Sequence, residues 1–120
     1  MDILQPAGLQ AVEQIDQRQA PRVLFRHKGL FIAGSARHAV RTEDISLLGL
    51  SFFIDTPLPA GLLCAVEMKS FLVPAPITLS GEVVYCILSG LKGYRIGMKY
   101  PRLAPALQNQ INRMLSLVQI

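Results

Sequence analysis

Apolar positions along the chain change their spacing twice, and each change marks a different kind of element. Up to residue 17, Ile3, Leu4, Leu9, Val12 and Ile15 stand among Gln, Glu and Asp at a loose helical spacing, which predicts a short amphipathic helix after Gly8. From Arg22 the apolar residues gather in short runs separated by turn chemistry, the pattern of strands. Val23-Leu24-Phe25 and Leu30-Phe31-Ile32 form the first strand region, broken at Gly29 and ended by a turn at Gly34-Ser35. A second strand is expected from His38 to Ile45, a third from Leu50 to Ile54 after a bend at Gly49, and a fourth from Leu62 to Met68. Asp55 to Gly61 reads as a turn, and Ser70 to Pro76, with two prolines, as a loop or irregular edge. Ile77 to Leu88 alternates as a long fifth strand, and Ser89 to Gly93 turns into a sixth, Tyr94 to Tyr100.

After Pro101 the period lengthens. Leu103, Leu107, Ile111, Met114, Leu115 and Val118 recur at steps of three and four, which places them on one face of a helix over 103–118, with Pro105 suited to its first turn. Six short strands followed by one amphipathic helix predict an all-β fold with a terminal helix: a small six-stranded antiparallel β-barrel over residues 22–100, packed against a C-terminal α-helix.

Composition supports one globular domain. The chain has 120 residues, 51% hydrophobic and 17% charged, enough to bury a core and far from the composition of a disordered chain. No apolar run approaches the roughly 20 residues that a membrane-spanning helix needs. The start, Met1 to Pro6, has neither a basic region nor a long apolar segment, so it does not read as a secretory signal, and a cytoplasmic protein is expected. Cys64 and Cys86 lie in strand-like stretches without metal-ligand spacing and read as free thiols, and His27 and His38 have no third ligand at metal spacing. The net charge of +4 alone names no partner, but Arg18, Arg22, Arg26, Lys28 and Arg37, five of the twelve basic residues, crowd one short span.

That span holds the candidate chemistry. Arg18-Gln19-Ala20-Pro21-Arg22 sets two guanidinium groups four residues apart, and Asp44-Ile45-Ser46-Leu47-Leu48-Gly49 sets a carboxylate and a hydroxyl two apart ahead of a glycine. Guanidinium forks bind phosphate and the guanine O6/N7 edge bidentately and lie flat on a base. A carboxylate accepts from guanine N–H groups, and a hydroxyl both donates and accepts. On an extended segment Asp44 and Ser46 would leave the same face, and Gly49, without a Cβ, permits close approach and an unusual turn. Taken singly, two arginines are most often a solvated face and Asp-x-Ser a turn cap.

Jointly, these two segments resemble the RxxxR and DxSxxG motifs of PilZ domains, bacterial receptors for cyclic di-GMP. The likeness extends over nearly all of the chain from Arg18 onward. Pro21-Arg22-Val23 resembles the family's placing of the second arginine just ahead of the first strand, and Tyr94 to Tyr100 resembles its last strand, a Gly followed three residues later by an aromatic. The resemblance implies a PilZ-like domain over 18–120, an arginine loop at 18–22 that folds over a nucleotide held against the Asp44–Gly49 surface, and Arg18, Arg22, Asp44, Ser46 and Gly49 as ligand-binding residues. Arg22 and Arg26 form a rival pair, but Arg26 is expected inside the first strand, which favours the Arg18/Arg22 register. Gln17 stands where some members carry a further arginine that favours an intercalated ligand dimer, so ligand stoichiometry stays open. Arg37 and Arg41 flank the second strand as candidates for phosphate contact, and His38 as a candidate for the rim of the site.

The expected function is therefore non-enzymatic: a receptor or adaptor whose arginine loop orders on cyclic di-GMP and which signals in trans to an unidentified effector protein. The runner-up is an interaction adaptor of the same fold that does not bind nucleotide. A barrel for single-stranded nucleic acid would want exposed aromatics for stacking, and here there is no Trp and the Phe residues sit mostly in core-like runs. No nucleophile motif or carboxylate pair points to an enzyme, and no cofactor or metal is expected.

Overall fold

The computed structural model describes residues 21–70 and 73–118, so the helix expected before residue 17 lies outside the described residues. Seven strands are seen: β1 (Val23–Leu24), β2 (Lys28–Ala33), β3 (Ala36–Ile45), β4 (Gly49–Ile54), β5 (Leu63–Ser70), β6 (Val73–Leu88) and β7 (Tyr94–Lys99). A single turn of 3-10 helix (Gly90–Lys92) precedes β7, and a helix, α1 (Pro105–Val118), follows it. Strands β3-β2-β5-β6-β7-β4 pair in that order, all antiparallel, and β4 pairs back onto β3. The sheet is thereby closed into a six-stranded barrel, and β1 is an extra strand on the end of β3.

The closed barrel works because its strands alternate. Phe31, Val40, Leu50, Phe52, Ile54, Val66, Leu79, Val83, Ile96 and Met98 face inward and are buried, while their sequence neighbours face out. Helix α1 adds Ile111, Met114 and Leu115 to the same buried cluster, and Leu103 and Leu107 pack against it. Pro105 is the first residue of that helix, where its missing N–H costs nothing. Cys64 is buried with its Sγ 3.6 Å from Met98 Sδ, and burial pushes its thiol up to about 11.

Two departures from the sequence pattern matter. The first strand region, expected to break at Gly29, breaks instead at residues 25–27 with Gly29 inside β2, because the buried Thr42 side chain replaces backbone ladder bonds there. Its hydroxyl donates to the Phe25 carbonyl and accepts from the His27 N–H at 2.9 Å. Around it, Phe25 N–H donates to Glu43 O and Thr42 N–H to His27 O, both at 2.8 Å. The second departure is a correction: Val73 to Pro76, expected as part of a loop, belongs to β6. Ser70 pairs with Val73 and Met68 with Ile77, so β5 and β6 form one extended ribbon. Among the described residues strand β6 has β5 as its only neighbour until β7 joins at Glu82, and an edge of that kind tolerates proline.

Candidate functional site

The carboxylate of Asp44 owes its outward aim to a bulge. Between β3 and β4, Thr42 opposes Phe52 and Asp44 opposes Ser51, leaving Glu43 as an extra residue. Thr42 and Phe52 point into the barrel, so strict alternation would have turned Asp44 inward with them. The inserted residue shifts the parity, and both Glu43 and Asp44 reach the outer face.

Three donors converge on Asp44. Arg22 Nη1 lies 3.0 Å from Oδ1, Arg95 Nη2 lies 3.2 Å from Oδ2, and the Ser51 hydroxyl donates to Oδ1 at 2.7 Å. Ser51 Oγ also accepts from the Asp44 N–H at 3.2 Å, which locks the Asp44 backbone to β4. The Asp44 side chain is 14% exposed against 53% for Arg22 and 38% for Arg95, so the acid is sheltered and the cations are wet. Two buried side-chain polar atoms among the described residues lack a hydrogen-bond partner, Arg95 Nε and the Tyr100 hydroxyl. Tyr100 is close enough to feel both Arg22 and Asp44, and burial raises its phenol far above the usual range.

Of the residues singled out from the sequence, Arg22 and Asp44 meet directly, whereas Arg18 and Gln17 lie outside the described residues. Ser46 does not share an open face with Asp44. The strand ends at Ile45, and Ser46, 1% exposed, turns under the chain, where its hydroxyl accepts from Leu48 N–H at 3.0 Å and Gly49 N–H at 3.3 Å. Its own N–H donates to Gly49 O at 2.9 Å. Gly49 is required by packing rather than by an unusual backbone angle: a Cβ there would run into the carbonyl oxygen of Met98 on β7. Gly97 is a second such position, because the Tyr85 ring lies flush over it.

The remaining candidates sit apart. Arg37 bonds the Gly34 and Ala36 carbonyls at 2.9 and 3.0 Å, at the far end of β3 and roughly 20 Å from Asp44 at about 3.4 Å per residue. His38 Nδ1 lies 3.5 Å from Asp55 Oδ1. Arg41 faces outward opposite Phe53. Arg26, the rival to Arg18 in pairing with Arg22, sits in the break between β1 and β2 rather than within a strand. It holds Glu43 bidentately, Nε to Oε1 at 3.0 Å and Nη2 to Oε2 at 3.1 Å, which draws the Glu43 carboxyl below its ordinary range. His27 is shifted down by burial and secondarily by the charge of Arg41.

Sequence reasoning missed Arg95 and Ser51. Ser51 lies on β4, which pairs with β3, and Arg95 on β7, which pairs with β4 in turn, and the sole signal was Arg95's place in the segment resembling the family's last strand. Among the described residues no cluster of His, Cys, Asp or Glu could hold a metal ion, and no helix is long and apolar enough to cross a membrane.

Comparison with known proteins agrees with this fold. No curated protein matches the sequence significantly. Among solved structures, the PilZ domain of YcgR from Escherichia coli with cyclic di-GMP superposes with a TM-score of 0.67 at 15% identity, covering 86% of this chain and 92% of that one. MrkH of K. pneumonia, in complex with cyclic di-GMP, gives 0.65 at 21% identity over 82% of this chain and 51% of that one. The Bacillus subtilis inhibitor of motility MotI gives 0.64 at 14% identity over 82% and 52%. The chain thus spans about half the length of MrkH and MotI. At these identities the superpositions speak for the fold. The model of the PilZ domain family matches residues 16–117, almost the whole sequence, and the chain belongs to that family.

Proposed function

We propose that this chain is a receptor for cyclic di-GMP that passes the signal to a partner protein in trans. The observation that carries the reading is the outward carboxylate of Asp44 held between Arg22 and Arg95 at 3.0 and 3.2 Å. An acceptor for guanine N–H groups and two planar cations for phosphate or base edges stand within one small patch. The exposed Arg22–Asp44 pair is cheap to break, since ion pairs of this kind contribute about 0–1 kcal/mol. Ligand therefore takes Arg22 onto a phosphate and leaves Asp44 for a base, while Arg95 Nε, without a partner, supplies a further donor. Arg18, four residues before Arg22, closes over the same molecule in this mechanism, and ordering of the 18–22 segment presents a changed surface to the effector.

Calorimetric titration with cyclic di-GMP, with GTP and cyclic di-AMP as controls, tests the reading. Saturable heat with cyclic di-GMP alone is expected. Absence of heat at high micromolar ligand would leave the adaptor of the same fold as the better account. One observation favours that second reading: Val84, Ile87, Leu88 and Leu91, on β6 and the turn after it, are exposed apolar side chains suited to a protein partner.

A further inference from the structure

Strand β6 is 16 residues long, and among the described residues its two ends lie open on opposite sides. Up to Gly81 it pairs with β5, and the edge left toward β7 carries Pro74 and Pro76, which lack the N–H that an added strand would need. At Val83 the β5 side is still filled: Val83 N–H donates to Leu62 O at 2.9 Å, and Val83 O accepts from Gly61 N–H at 2.7 Å. A bulge between Val83 and Tyr85 marks where that side opens, and from Tyr85 to Leu88 the only paired neighbour among the described residues is β7. This second edge has no guard. Val84-Tyr85-Cys86-Ile87-Leu88 holds neither proline nor charge, the composition of a strand that pairs with whatever strand is offered. Val84, Ile87 and Leu88 are 48%, 57% and 69% exposed, and Leu91 on the following turn is fully exposed.

The hairpin's own hydrogen bonds fix which backbone groups face the opening. Ser89 N–H donates to Gly93 O at 2.7 Å, and bonded pairs alternate along an antiparallel ladder, so Tyr85 and Ile87 bond toward β7 while Cys86 and Leu88 turn N–H and C=O to the open side. These groups are self-complementary. About a twofold axis at Ile87, Cys86 of one copy stands opposite Leu88 of the other, and the two such pairs satisfy every one of these groups on both copies. We propose that β6 pairs antiparallel with β6 of a second copy of this chain in that register. Ile87 then meets its counterpart across the axis as the closely spaced, non-hydrogen-bonded pair. Charge favours this contact: residues 84–88 bring none, and Arg95, opposite Ile87 on β7, is already held by Asp44 at 3.2 Å. With a net charge of +4, copies repel one another at surfaces rich in lysine and arginine, which leaves an uncharged strand as the place to meet. The ladder spans 86–88 on each copy, so it stays clear of Val83, whose neighbouring place Gly61 and Leu62 fill. Its axis stands perpendicular to the sheet, so the two Asp44 clusters open to the same side of the pair.

Sedimentation equilibrium of the full chain over a concentration series tests the pairing, with thermal unfolding as the check on the fold. A monomer–dimer equilibrium is expected for wild type. Ile87→Lys sets like charges on the axis, and Leu88→Pro gives this edge the guard that the other one has, removing an N–H that faces the open side. Both positions are exposed, so each variant is expected to dimerise roughly tenfold more weakly, with an unfolding midpoint close to wild type. Should Leu88→Pro fail to fold, Ile87→Lys decides. Ile87→Cys reads the register. Cα atoms of a non-hydrogen-bonded pair lie about 4.5 Å apart, inside the roughly 4.4–6.8 Å that a disulfide spans. Oxidation with copper–phenanthroline is therefore expected to trap far more covalent dimer than wild type gives through Cys64 and Cys86. A wild-type chain that stays monomeric at high micromolar concentration overturns the pairing and leaves the edge to a strand of another protein. A dimer that survives Ile87→Lys, or one that Ile87→Cys does not trap, overturns it as well.

Discussion

Asp44 and the turn that follows it, residues 46–49, belong to one six-residue motif, yet they do opposite work. Asp44 lies on the outer face, gathers three donors, and shares its charge with two wet arginines. Ser46 and Gly49 lie underneath, one spending its hydroxyl on two turn N–H groups, the other pressed against the Met98 carbonyl. The contrast teaches that half of a candidate motif can be scaffold: the turn fixes where β4 starts, and β4 through Ser51 fixes where Asp44 points. Substitutions should therefore divide into those that lower stability and those that lower binding.

The largest effect is expected from Gly49→Ala. A Cβ would strike backbone on β7, which cannot swing aside like a side chain, so destabilisation of about 3 kcal/mol is expected, with a melting point lower by on the order of 10 °C. Thermal or urea unfolding reads it. A variant as stable as wild type would break the scaffold half of the comparison.

Next comes Arg22→Ala, expected to weaken cyclic di-GMP more than about tenfold because a charge-assisted contact contributes roughly 1.5–3 kcal/mol. Its unfolding midpoint should barely move, since the pair it loses with Asp44 is exposed on the arginine side. Arg26→Ala is the control, because Arg26 holds Glu43 and not Asp44. Should Arg26→Ala prove the more damaging to binding, the arginine register is the other one.

Ser46→Ala and Asp44→Asn sharpen the contrast within the motif. Removing the Ser46 hydroxyl leaves the Leu48 and Gly49 N–H groups short of an acceptor, for a loss of about 1–2 kcal/mol in stability. Asp44→Asn keeps one acceptor but faces guanine with a donor, so binding falls while the fold holds. A Ser46→Ala protein that unfolds as wild type but fails to bind would move Ser46 from the scaffold to the ligand surface.

The smallest effect concerns pH. His27 has a folded pKa below its ordinary 6.5, first through burial and then through Arg41. The unfolded chain therefore takes up the proton first. The stability tied to His27 is complete above about pH 6.5 and is lost as pH falls through the lower folded value. Glu43, held below its ordinary 4.5 mainly by the hydrogen bond from Arg26, acts with the same sign at more acid pH. Unfolding midpoints between pH 7 and 4 should show His27→Gln flattening the upper limb and Glu43→Gln the lower. A single limb unchanged by His27→Gln would refute the first assignment.

Much of the barrel was legible because alternation and turn chemistry are local. Phe52 against Phe53, or Ile96 against Arg95, already separates inside from outside along one strand. The terminal helix was equally plain, since Ile111, Met114 and Leu115 recur at its period and are the residues it buries. Val73 to Pro76 misled because proline signals a break wherever both neighbours need its N–H, and whether a strand has one neighbour or two is not written locally. The break expected at Gly29 was misplaced for a related reason: the Thr42 hydroxyl stands in for ladder bonds only once β1, β2 and β3 are side by side.

By itself the sequence determined the class of fold, the order of its elements and the stretch where Asp44 and Arg22 stand, because hydrophobic period and motif spacing are properties of neighbours along the chain. Tertiary structure alone decided that Asp44 looks outward, that Ser46 looks inward, and that Arg95, Ser51 and Phe53 share a face with Arg41. The physical reason is register: one extra residue at Glu43 inverts the parity of everything after it on β3, and closure of the barrel brings β7 beside β4. No local pattern of residues carries either fact.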